Sequence, residues 1–70
     1  MNNAKPLDVW LRIPEGEEES EAEANTFKDG NRYRVEWYLS SVGLVTSVSF
    51  DKLHDAYAWL EREGFEDYTS

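Results

Sequence analysis

Any chemistry in this 70-residue chain has to come from carboxylates, because fifteen Asp and Glu stand against seven Lys and Arg, one histidine and no cysteine. Six glutamates, Glu15, Glu17, Glu18, Glu19, Glu21 and Glu23, fall within nine residues. A hydrolytic carboxylate pair needs a rigid cleft that sets its spacing and drives the two pKa values apart. A run of like charges that repel one another offers no such frame. Clustered carboxylates also attract hard cations, but EEESEAE lacks the Asp alternation and central glycine of a calcium loop. A thiolate zinc site is excluded, and a single imidazole, His54, is too little for a histidine site. Nucleophilic catalysis needs a Ser, Thr or Cys beside a base, and His54 reads as a polar residue on a helix surface. No GxGxxG, P-loop or HExxH pattern occurs. The expectation is a non-catalytic protein with no catalytic residue, no metal and no cofactor.

The net charge of −8 is not spread evenly. Residues 14 to 23 hold the six glutamates and no base, and residues 51 to 70 hold a second block that includes Glu61, Glu63, Glu66 and Asp67. Glu61 and Glu63 fall where a helix dipole is negative, so helix stability does not account for them. Solubility accounts for them, and so does a basic partner. Direct nucleic-acid binding is not expected, since the acidity repels phosphate before any contact forms, although Arg32, Arg34 and Tyr38 share one strand face. The reverse relation is expected instead: acid placed where a basic, DNA-binding protein meets phosphate. Extended at ~3.3 Å per residue, the glutamate run carries about one charge per 5 Å, against ~3.4 Å per charge in one DNA strand. Two copies, or the run together with the C-terminal block, come closer.

These acids need elements to carry them. From Pro6 to Ile13, Leu7, Val9, Leu11 and Ile13 alternate with Asp8, Trp10 and Arg12, which predicts a strand burying its odd positions. Residues 14 to 30 show no periodic apolar face and read as a mobile acidic loop, with Phe27 pinning its far end. The most regular pattern lies between Asn31 and Phe50, a hairpin with Tyr33, Val35, Trp37 and Leu39 on one face of its first strand. Leu44, Thr46, Val48 and Phe50 follow on its second, and a loop over Ser40 to Gly43 pairs Leu39 with Leu44, Trp37 with Thr46, Val35 with Val48 and Tyr33 with Phe50. Asp51 is then the expected N-cap of a helix that buries Leu53, Ala56, Tyr57 and Leu60, with Gly64 at C′ and Phe65 at C″ of a Schellman ending. The tail from Glu66 is expected to fray. The order βββα predicts one small α+β domain over residues 1–70, a three-stranded antiparallel sheet with the C-terminal helix packed on one face.

Such a sheet leaves a face uncovered. Trp10, Tyr38 and Val45 are predicted to point away from the helix, and aromatic residues of this kind anchor interfaces. Two functions follow as expectations. The first is an acidic interaction protein that binds a basic, nucleic-acid-binding protein surface, in the manner of a nucleic-acid mimic; small phage or mobile-element inhibitors share this composition. The second is a structural or adaptor module that homodimerises through Trp10, Tyr38 and Val45, its acid serving solubility. The N-terminus has neither a signal-peptide pattern nor a membrane-spanning run, and the absence of cysteine fits a reducing compartment, so a cytoplasmic protein is expected.

Overall fold

The computed structural model describes residues 5–68. Five strands and one helix follow in the order β1 (Asp8–Arg12), β2 (Ala22–Asp29), β3 (Arg32–Leu39), β4 (Gly43–Phe50), α1 (Leu53–Arg62) and β5 (Glu66–Asp67). The sheet is antiparallel in every pair, with the spatial order β4-β3-β2-β1-β5. The class is α+β as expected, but a three-stranded sheet is not what forms.

Both extra strands come from segments read as irregular. Half of the supposed mobile loop is β2, the middle strand of the sheet. Its buried side chains are Ala22, Ala24 and Thr26, all fully buried, while Glu21 and Glu23 between them are exposed. The period of two was present, written in residues too small and too weakly apolar to register as a core face. Small size is what the position requires. Ala24 lies between Trp10 of β1 and Trp37 of β3 in one cross-sheet row, and two indoles can occupy that row only if the residue between them is short. The supposed frayed tail is likewise a short edge strand: Glu66 pairs with Leu11, Asp67 with Trp10, and the Tyr68 N–H donates to the Val9 carbonyl at 2.8 Å.

The face that β1 buries is also the reverse of the expected one. Trp10 is 5% exposed and packs against Tyr57 of α1 at a centroid distance of 5.5 Å, whereas Leu7 is 43% exposed and Val9 and Leu11 are half-buried. Trp10 is therefore core, not part of an open face. The even register prevails because it buries the largest side chain of the strand and also finds partners for the polar residues that accompany it. Asp8 accepts hydrogen bonds from the Thr26 hydroxyl at 3.2 Å and from the Tyr57 hydroxyl, and Arg12 reaches the end of the helix. Alternation alone counted four apolar residues against one tryptophan and did not weigh their areas.

In the β3–β4 hairpin, Tyr33 pairs with Phe50, Val35 with Val48 and Trp37 with Thr46, as expected. The expected Leu39–Leu44 pair does not form. The register shifts after Trp37, so that Tyr38 pairs with Leu44 and Leu39 with Gly43, which leaves Val45 as the extra residue of a bulge. Gly43, at φ +86°, takes a conformation that a residue with a Cβ rarely adopts. The helix begins at Leu53 with Lys52 as N-cap and no side-chain cap bond, so Asp51 is not the cap. Its ending follows the predicted pattern. Gly64 has φ +89°, its N–H donates to Glu61 O at 3.1 Å, and the Phe65 N–H donates to Leu60 O at 3.0 Å, the two bonds of a Schellman motif. Phe65 and Leu60 are both buried in the core, with Trp10, Ala22, Ala24, Val35 and Ala56.

The Asp8–Tyr57 bond ties α1 to β1 and makes stability depend on pH. Burial, then hydrogen bonding to Asp8 and the Asp8 charge, push the Tyr57 hydroxyl up to about 12 from an ordinary value of 10.0. The folded state thus favours the neutral phenol. This stabilisation is complete below the unfolded value and is lost as pH rises from about 10 to about 12. Urea unfolding of the wild type and of Tyr57→Phe between these limits should show the stability gap between them closing with pH. A gap that stays constant contradicts the assignment.

Candidate functional site

The strand ends collect the acid. Arg12 at the end of β1 pairs with Ala22 at the start of β2, and Ala22 pairs in turn with Leu39 at the end of β3. The 13–21 connection and the 40–42 turn therefore lie at the same end of the sheet. They are joined there by bonds from the Ser40 N–H to Glu21 O at 3.0 Å and from the Ser40 hydroxyl to Ser20 O at 2.8 Å. Arg12 then connects this end to the helix. Its Nε donates to Glu21 Oε2 at 2.7 Å, its Nη1 donates to the Glu63 carbonyl at 3.1 Å, and its guanidinium lies 5.1 Å from the centroid of the Phe65 ring. A cation at a helix C-terminus is favoured by the dipole, and Arg12 adds one there to Arg62 of the helix's own last turn. The two acidic blocks, forty residues apart in the chain, are thereby held at one end of the molecule.

The predicted acidic residues divide into three sets. Glu15, Glu17, Glu18 and Glu19 are exposed on the 13–21 connection, which turns at Gly16 (φ +83°) with the Glu17 N–H bonded to Pro14 O at 3.1 Å. The run therefore begins in a turn and ends in β2, so the even spacing of an extended chain does not hold along it. Glu61 and Glu63 are exposed at the end of α1, with Glu21 beside Arg12. Glu23 and Glu66 both pair with Leu11, one on each side, and so rim the sheet face opposite the helix. Asp67 pairs with Trp10 and falls on the helix side of β5.

That open face carries its own network. Leu11, Glu23, Tyr38 and Leu44 stand in one cross-strand row and Val9, Asn25, Glu36 and Ser47 in the next. Glu36 accepts from Arg34 Nε at 3.1 Å and from the Tyr38 hydroxyl at 3.3 Å. Burial, followed by the charge and hydrogen bond of Glu36, raises the Tyr38 phenol above its usual range. Arg34 also pairs with Asp29 at 3.1 Å and stacks 4.9 Å from the Phe27 centroid, while Arg32 pairs with Asp51 at 3.6 Å. Both arginines are thus engaged with carboxylates. Of the expected trio on this face, Tyr38 is there and half-buried, Trp10 is on the other side, and the side chain of Val45 lies outside the described residues.

Among the described residues there is no pocket, no group of three or more His, Cys, Asp or Glu side chains able to hold a metal ion, and no helix long and apolar enough to cross a membrane. Arg12 was missed as an organising residue because two of its three partners, Glu63 and Phe65, lie more than fifty positions from it, with Glu21 the nearer one. No protein-family model, curated protein or solved structure matches this chain.

Proposed function

We propose that this chain is a non-catalytic acidic interaction protein that binds a basic, nucleic-acid-binding protein surface in place of nucleic acid, as an inhibitor of phage or mobile-element type would. The observation that carries the reading is the joining of two sequence-distant acidic blocks at one end through Arg12. Glu15, Glu17, Glu18 and Glu19 remain exposed there, with no cation within ion-pair distance among the described residues. Like charges cost free energy when gathered, so an arrangement that gathers them favours a partner that neutralises them. The half-buried Leu11 and Tyr38, with Glu23 and Glu66 beside Leu11, extend the same end onto the open face and supply apolar contact area beside the charge.

The test uses the chain immobilised and proteins of a cell extract eluted along a salt gradient. Bound proteins should be basic and displaced by duplex DNA, with affinity falling about tenfold or more between ~50 and ~200 mM salt. Substituting Glu15, Glu17, Glu18 and Glu19 with glutamine should abolish capture while leaving the urea midpoint unchanged, because Glu21 is kept to hold Arg12. Salt-insensitive capture, or capture undiminished in the glutamine variant, refutes the reading and favours an adaptor whose acid serves solubility alone.

A further inference from the structure

The sheet leaves its two edges in opposite states. β5 is two residues long and both are acidic, which makes that edge a poor template for another strand. β4 is eight residues long, and no charged residue occurs from Ser40 to Phe50 in a chain that is 31% charged. As the last strand in the order β4-β3-β2-β1-β5, it pairs on one side only, so alternate backbone N–H and C=O groups are directed away from β3. Neither lysine nor proline blunts this edge. The bulge disturbs its first part, but from Thr46 to Phe50 the register with β3 is regular. The packing above the edge is also unfinished. Val35 on β3 is fully buried, whereas its neighbour Val48 is only partly buried, as are Phe50 and Trp59, whose ring centroids lie 6.1 Å apart.

We infer that β4 pairs antiparallel with β4 of a second copy of this chain, about a two-fold axis normal to the sheet. Such an axis sets residues of like parity opposite one another, so helix face meets helix face. Centred on Val48, it places Val48 opposite itself, Thr46 opposite Phe50 and Ser47 opposite Ser49. Apolar or methyl-bearing groups then meet above the sheet and hydroxyls meet below it, with no charge on either side. Charge distribution selects a second copy as the occupant. β5 lies at the far edge of the sheet and the glutamate-bearing connection joins the strand next to it, so two copies with net charge −8 repel least when their β4 edges face. A basic peptide has no carboxylate to pair with along this strand. The product is a ten-stranded sheet with both helices on one face and the two acidic ends at opposite corners.

Sedimentation equilibrium up to millimolar concentration should show the mass rising from 8.2 kDa to twice that value. The double substitution Ser47→Lys/Ser49→Lys, at two exposed positions, sets like charges across the axis and should hold the chain at monomer mass with an unchanged circular dichroism spectrum. Ser47→Lys/Ser49→Glu sets opposite charges across the axis and should restore the dimer in a salt-sensitive form. Tyr38→Arg, on the open face, should leave association intact. A wild type that stays monomeric, a dimeric lysine pair, a monomeric charge-swapped pair, or loss of the dimer in Tyr38→Arg would each overturn the pairing.

Discussion

Replacing Ala24 with leucine should remove about half of the domain's stability at 25 °C. Ala24 is fully buried on the central strand between Trp10 and Trp37, and the residues flanking it across the sheet are the largest the chain possesses. Three added carbons have nowhere to go without moving an indole or lifting α1 from the sheet. Overpacking of this kind costs about 1 to 3 kcal/mol and sometimes more, while a single core of this size supports roughly 3 to 5 kcal/mol in all. The control is Glu23→Leu, one residue away on the exposed side, which should change stability by less than about 1 kcal/mol. Urea titration followed by tryptophan fluorescence separates the two. Equal, small effects at both positions would mean that residues 22–29 do not form a central strand.

Arg12→Met should cost about 2 kcal/mol, a large share of the total, although the apolar stem of the side chain is kept. Three interactions end together: the bond to the Glu63 carbonyl, the pair with Glu21, and the stacking on Phe65. The ion pair contributes least, since both partners reach solvent and exposed pairs give ~0 to 1 kcal/mol. The charged bond to the helix carbonyl and the cation–π contact contribute more, about 1 kcal/mol or above each. Arg12→Lys should recover less than half of the loss, because an ammonium cannot serve a carboxylate, a carbonyl and a ring face at once. Loss of the cation also leaves Glu21 without its ion-pair partner and makes the chain more negative, so added salt should stabilise Arg12→Met more than the wild type. A cost below about 0.5 kcal/mol would remove Arg12 from its place at the junction of the two acidic blocks.

Local patterns carried as far as local physics reaches. The hairpin was legible because apolar residues of full size alternate on both of its strands, and only the bulge at Val45 escaped, since a bulge is set by how the turn at Gly43 meets the twist of the strands. The helix ending was legible because Gly64 and Phe65 stand in fixed relation to Leu60. β2 was not, because Ala22, Ala24 and Thr26 are buried for their smallness, and smallness acquires meaning only beside Trp10 and Trp37. β5 was not, because its pairing is with a strand more than fifty residues earlier.

The amount of acid and its division into two blocks were determined by the sequence alone, as were the absence of thiolates, the hairpin core and the Schellman stop, for each is a property of composition or of neighbours within a few residues. The tertiary structure decided which face of β1 is buried, that a glutamate-rich segment supplies the middle strand, that Arg12 draws the two acidic blocks together, and that the long neutral strand is left at an edge. Those outcomes depend on side-chain volumes and partners meeting across the sheet, and no reading along one strand contains them.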